Sequence, residues 1–309
     1  MINRELIRSK VIQLVYANYK NEKETIEDAV EELSQSLNKS YELYQYLLLL
    51  IPEVTGFARQ LYESTCERIK DMGGTDFPSS RFVDNRLARQ IEENEQLNKF
   101  YDEAVVHPWT NTETELRSLY KVIHDSEEYK EYISSDEDSY EADKTFWKKI
   151  YKKYICNNES LENYLEEWSL YWNDDKHIVD SFVLKTLSRF EESAGASQSL
   201  LPAFSSDEDS HFAKELFRNA LLNKARYEDL IAQNSRNWEF ERLSLMDIVI
   251  MVTALSEIMT FPEIGLSVSF NEYINLAKAY SSPKSASFIN GMLDNIVHKL
   301  QEEKSLTKK

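Results

Sequence analysis

Apolar residues recur at three- and four-residue spacing along almost the whole chain, as in Ile7, Val11, Leu14 and Val15, or in Leu216, Ala220 and Leu221. Sustained period-two alternation is scarce. That pattern belongs to amphipathic helices, so it predicts an all-α fold. Breaks fall where turn residues gather: Met72 to Pro78, His107-Pro108, Asn157-Asn158 and Ser193 to Ser206. They delimit predicted helices over 4–20, 25–37, 41–70, 80–106, 112–133, 139–156, 159–172, 176–192, 207–233, 241–259, 269–280 and 284–301. Start signals agree, with Thr112 and Glu115 in a capping-box spacing and Asp207-Glu208-Asp209 at the front of a helix.

Glycine sharpens the picture. Six glycines and six prolines in 309 residues leave no GxGxxG and no phosphate-cradling loop, which excludes kinase, NTPase and Rossmann chemistry. The length favours two domains, or one domain with a large insertion. Five histidines (His107, His124, His177, His211, His298) lack metal-ligand spacing, and no nucleophile elbow accompanies the serines. The residues therefore suggest neither an enzyme nor a cofactor or metal. Two isolated cysteines, Cys66 and Cys156, fit a reducing cytoplasm. The longest apolar run, Leu47 to Ile51, falls far short of the roughly 20 residues that cross a bilayer, so neither a membrane nor export is expected.

A net charge of −18 argues against a generally basic nucleic-acid surface, but the charge is uneven. Residues 101–180 carry 20 acids and 9 bases, residues 210–309 carry 12 of each, and residues 1–20 hold Arg4, Arg8, Lys10 and Lys20 against Glu5. The acidic middle is also aromatic, with Trp147, Trp168 and Trp172 near Tyr151, Tyr154, Tyr164 and Tyr171. At helical spacing these residues suit a packed core better than a base-stacking platform. The middle therefore reads as a helical subdomain.

The ends carry the specific signal. The stretch from Val268 to Asp294, with Asn271-Glu272, Leu276-Ala277-Lys278, Tyr280 and Phe288-Ile-Asn290-Gly291-Met-Leu293-Asp294, closely resembles the "INEAxELAKxF … FVNGVLD" signature of the NusB family of transcription antitermination factors. Trp238, Arg242-Leu243, Asp247-Ile248 and Ala254-Leu-Ser-Glu257 resemble the helix that precedes it in that family, and Arg4, Arg8, Gln13 and Tyr16 fall on its arginine-rich first helix. The resemblance implies a NusB-like helical bundle split as 1–40 and 206–303, an inserted helical segment at 41–205 and a tail at 304–309. It also implies a non-enzymatic factor that binds boxA-type single-stranded RNA of ribosomal RNA operons. Its partners would be the ribosomal protein NusE and the RNA polymerase antitermination complex.

Carried over residue by residue, Arg4 and Arg8 match arginines that meet RNA phosphates, Tyr16 a tyrosine at the RNA surface, and Phe288 a phenylalanine lying against a base. Asp247 matches an acid that contacts NusE. Lys278 and Lys284 flank Tyr280 in the loop before the last helix, where Pro283 precedes backbone N–H groups suited to a phosphate. Cation and aromatic together suit single-stranded RNA. Read without the family, Phe288 and Tyr16 also fit packed positions, and Asp247 is an ordinary helical acid. Glu5 and Leu6 stand where arginine-rich relatives have arginine, which weakens the expected grip on phosphate.

Two other readings stay open. One is a helical protein-interaction module that has lost RNA binding. The other is a relative of the RNA-binding part of ribosomal RNA cytosine methyltransferases, for which no glycine-rich methyl-donor domain follows before Lys309. Some family members self-associate through the RNA face, which leaves a homodimer open.

Overall fold

The computed structural model describes residues 1–21, 25–172, 174–235, 243–282 and 284–306. Helices follow in the order α1 (Arg4–Lys20), α2 (Ile26–Asp71), α3 (Arg86–Glu92), α4 (Glu95–Glu103), α5 (Glu113–His124), α6 (Glu127–Ser134), α7 (Tyr140–Ile150), α8 (Glu159–Trp168), α9 (Lys176–Arg189), α10 (Asp207–Leu222), α11 (Lys224–Asn234), α12 (Leu245–Thr260), α13 (Leu266–Tyr280) and α14 (Ser285–Glu302). A π-helical turn, Tyr151–Ile155, extends α7. The fold is all-α: among the described residues the only β-type pairing is an isolated bridge between Ile2 and Phe204. No helix of the described residues is long and apolar enough to cross a membrane.

The chain divides into two compact units, one of Met1 with residues 39–203 and one of residues 2–38 with 204–309. Within the first, short helices begin at polar caps. Asn85 accepts from the Ala88 N–H, Asn94 from those of Gln96 and Leu97, Ser126 from that of Tyr129 and Asn158 from that of Leu161. Each cap satisfies backbone donors that a helix start leaves open, at about 1 kcal/mol apiece. These caps divide the predicted helices 80–106 and 112–133 into two each. Thr112 is not the capping-box residue expected: its hydroxyl donates to the Trp109 carbonyl at 2.8 Å and caps nothing.

α2 runs unbroken where the sequence predicts a gap at 38–40, because no glycine or proline interrupts it there and Lys39 pairs with Glu42 one turn on. It ends where Gly73 takes φ +72°, a left-handed conformation open to glycine, with the Gly74 N–H donating to Ile69 and the Gly73 N–H to Lys70. The core of this unit is aromatic. Phe82 meets Tyr120, Tyr129, Phe146 and Trp147 within 6 Å, and Tyr132 stacks on Phe146 at 4.1 Å. Trp147, Tyr151 and Trp172 are buried as expected, whereas Trp168 stands 40% exposed.

In the second unit α12 is the hub, packing against α1, α10, α11, α13 and α14. Its sequence, LMDIVIMVTALSEIMT, is apolar on almost every face and has two charged residues, Asp247 and Glu257. A helix apolar all round must be surrounded, which explains its central place. Asn223 closes α10 and separates it from α11, dividing the predicted helix 207–233. After α14 the chain turns back, with the Ser305 and Leu306 N–H groups both donating to the Leu300 carbonyl and Leu306 buried.

Candidate nucleic-acid interface

The candidate residues all lie in the second unit, on α1, α12, α13 and α14, but the structure sorts them by role. Asn3 caps α1 by accepting from the Leu6 N–H, which fixes the helix that carries Arg4, Arg8 and Tyr16. Arg4 and Arg8, four residues apart, share one face. Ser9, Gln13 and Tyr16 form a separate row.

Arg8 is not a surface cation. It is 3% exposed, and its guanidinium donates from Nε to Glu257 Oε2 at 2.7 Å and from Nη2 to Glu257 Oε1 at 3.0 Å, a bidentate pair. Glu272 lies 3.3 Å from Nη1. Glu257, fully buried, also accepts from the Ser269 hydroxyl at 2.8 Å and the Tyr273 hydroxyl at 3.1 Å. Burial works against the charge on Arg8. The hydrogen bond and charge of Glu257, with Tyr273 and Glu272, outweigh it and leave the Arg8 pKa above its ordinary value. Burial and Glu257 together hold the Tyr273 phenol far above its usual range, so it stays a donor. Arg8, expected at phosphate, is bound here to a buried carboxylate, and removing it would leave a buried charge unpaired.

Arg4 is placed differently. About a third of its side chain is exposed, Nε lies 3.4 Å from Asp209 Oδ1, and its guanidinium stands 4.9 Å over the Phe212 ring.

Asp247, expected to contact NusE, is enclosed as well. It is 7% exposed, and its two oxygens accept from Ser281 Oγ at 2.6 Å and Ser285 Oγ at 3.1 Å. Its backbone N–H is capped by Ser244. Ser281 and Ser285 share a further bond at 3.0 Å, and Ser282 meets Ser285 at 2.8 Å. The carboxylate thus braces the turn between α13 and α14 from beneath, a geometry that leaves it little surface for a partner protein.

Four further candidates lie in or beside that turn: Lys278 and Tyr280 in the last turn of α13, Lys284 in the turn itself and Phe288 in the first turn of α14. Lys278 and Lys284 are exposed, and Tyr280 and Phe288 are half-buried. The Tyr280 hydroxyl shares a 2.5 Å bond with Ser9 Oγ and accepts from Gln13 Nε2 at 3.1 Å. The end of α13 is thereby held against the Ser9–Gln13–Tyr16 row of α1. Tyr16 is half-buried, with the Lys20 amine 5.9 Å from its ring centre. One face therefore combines Tyr16 and Tyr280, and Lys278, Lys284 and Phe288 come from the adjoining turn and helix. Trp238 and Arg242 of the motif, and Pro283, lie outside the described residues. Among the described residues no three His, Cys, Asp or Glu side chains converge to hold a metal ion.

Glu257 belongs to the motif, but the motif alone assigns it no role. Its signal was there: it is the lone carboxylate in the last three turns of an apolar helix, and so needs a buried cation. Ser269, Asp209 and the serines of the α13–α14 turn carried no such signal.

The NusB family model matches residues 181–298, beginning inside α9. Among curated proteins, the transcription antitermination protein NusB of Salinibacter ruber is 34% identical over 132 residues, 41% of this chain and 82% of that relative. The protein of the same name from Dictyoglomus thermophilum is 40% identical over 95 residues, 31% of this chain and 66% of the relative. That of Listeria monocytogenes is 38% identical over 90 residues, 29% and 70%. No solved structure matches. With 34% identity across 82% of the length of the Salinibacter ruber relative, the chain belongs to the NusB family.

Proposed function

We propose that this chain is a non-enzymatic antitermination factor that binds boxA-type single-stranded RNA together with a NusE-type ribosomal protein, within the RNA polymerase antitermination complex. The observation that carries the reading is its identity to proteins named transcription antitermination protein NusB. The residues assigned to RNA are Lys278 and Lys284 for phosphates, Tyr280, Tyr16 and Phe288 for bases, and Arg4 at the edge. Aromatic faces hold unstacked bases at about 1–3 kcal/mol each, which two lysines alone do not supply. Arg8 acts one step back, fixing α1 against α12 and α13. Asp247 positions the α13–α14 turn, and through it the surface offered to NusE. The segment at 41–205 is read as an insertion into the family's N-terminal half, with its last part, from residue 181, already inside the family match.

With Arg8 withdrawn, intrinsic RNA affinity is weak and a basic partner completes the site. The acidic chain then favours association with that partner. The test is fluorescence anisotropy of a labelled boxA-type RNA across a salt series, with and without NusE. Binding that strengthens with NusE and weakens with salt supports the reading. Absence of binding at low salt with NusE present refutes it and favours the interaction module, whose specific support is the burial of Arg8.

A further inference from the structure

In the unit of residues 39–203, α5 and α8 wall an open groove of about 450 Å³. Leu50, Leu116, Leu119 and Leu161 line its apolar floor. Val122, which also lines it, is 45% exposed, and Trp168, on the last turn of α8, is 40% exposed. Trp168 is the one described tryptophan of this unit that is not buried, and its contact with the lining residue Tyr164 sets its exposed ring, like Val122, at the margin of the groove. Trp109 and Tyr164 stack at 6.1 Å between ring centres, and Trp168 stands edge-on to Tyr164 at 6.3 Å. The first two rings are pinned from behind: Trp109 Nε1 donates to the Tyr46 carbonyl at 2.8 Å, and the Tyr164 hydroxyl to the carbonyl of Pro108. Rings fixed before a ligand arrives lose little freedom on binding.

The residues that line the groove carry charge of one sign, while Arg117 and Lys121 of α5 lie outside the lining. Its acidic lining residues are Glu115 from α5 and Glu167 from α8, with no lysine or arginine. Both carboxylates bear on the Tyr164 phenol, whose pKa burial raises first and they raise further. α8 adds Glu159, Glu162 and Glu166 and holds no base. Glu162 has a cation near it, Lys176 at 3.9 Å. Residues 39–203 carry 32 acids against 19 bases.

We propose that this groove docks a basic peptide segment of a partner protein, with one or two large apolar side chains entering between α5 and α8 and flanking arginines or lysines meeting Glu115 and Glu167. Apolar anchors in a groove supply affinity, and a rim of opposite charge supplies selectivity and rate of encounter. A nucleic-acid strand would set its phosphates against the carboxylates. A second copy would set like rims against each other. The inference stands apart from the RNA reading, because it uses none of the residues assigned to RNA.

The test selects random 16-residue peptides displayed on phage against the full chain, with the Val122→Arg chain as the parallel target. Val122 is exposed enough for the change to spare the fold, and unchanged circular dichroism verifies this. Enriched sequences should combine an aromatic or aliphatic anchor with arginine or lysine, and should not enrich on Val122→Arg. In anisotropy, a labelled synthetic copy should bind the Glu115→Lys/Glu167→Lys chain at least ten-fold more weakly than the unaltered chain. No enrichment, enrichment of acidic or uncharged sequences, or equal enrichment on both targets would overturn the proposal. So would self-association that Val122→Arg abolishes, or a labelled single-stranded RNA whose binding Val122→Arg changes.

Discussion

Replacing Arg8 with methionine isolates the most consequential contact in the NusB-like unit. The change keeps an unbranched side chain of similar reach but removes the cation bound to Glu257 at 2.7 and 3.0 Å. The Glu257 carboxylate would then be wholly buried with two neutral donors, Ser269 and Tyr273. Breaking a buried ion pair from one side costs about 3–5 kcal/mol. The loss should appear as faster amide exchange across α12 and α13, which this cluster joins, while α5 to α9 are unaffected. Adding Glu257→Gln should restore more than half of it, because the amide oxygen still accepts from the two hydroxyls and no charge is stranded. The same variants separate structure from binding. A buried Arg8 predicts that the Arg8→Met/Glu257→Gln chain keeps the salt dependence of RNA affinity. A loss below about 1 kcal/mol, with the salt slope falling by about one unit, would refute the reasoning and put the guanidinium on a phosphate.

Lys278→Ala and Lys284→Ala should each weaken RNA binding across sequences and lower the salt slope by about one, read from anisotropy between low and moderate salt. Asp247→Ala strands the Ser281 and Ser285 hydroxyls and should cost about 1–3 kcal/mol, with faster amide exchange confined to the α13–α14 turn. Gly73→Ala forces a left-handed conformation on a residue with a Cβ and should cost about 1 kcal/mol in urea denaturation, with no effect on RNA affinity. Glu128, held down to about 2 by its bond to Lys153 and then that to Tyr154, has a depressed folded pKa. Its stabilising effect should be complete above its ordinary 4.5 and fade as pH falls toward 2. The thermal stability of Glu128→Gln should therefore converge on that of the unaltered chain in acid.

The all-α fold was legible because helical periodicity is a local signal and the chain has almost no glycine to interrupt it. Caps inside periodic stretches were harder to see. Asn94, Ser126 and Asn223 end or start helices while the apolar spacing continues past them, and Thr112 shows the reverse, a cap signal spent on a turn. Motif residues could be found from sequence, but not their roles. Position on a helix says that Arg4 and Arg8 share a face, whereas the partner that buries Arg8 lies 249 residues away. Asp247 likewise looked like an exposed acid until α13 and α14 brought two serines onto it.

The measurement that bears most directly on the account is photo-crosslinking of the full chain to a boxA-type RNA carrying 4-thiouridine, with NusE present and the crosslinked peptides identified by mass spectrometry. The account predicts crosslinks to peptides spanning Lys278 to Phe288 and to the Tyr16 end of α1, lost together when Lys278 and Lys284 are both alanine. Crosslinks confined to residues 39–203, or unchanged in that double variant, would contradict it.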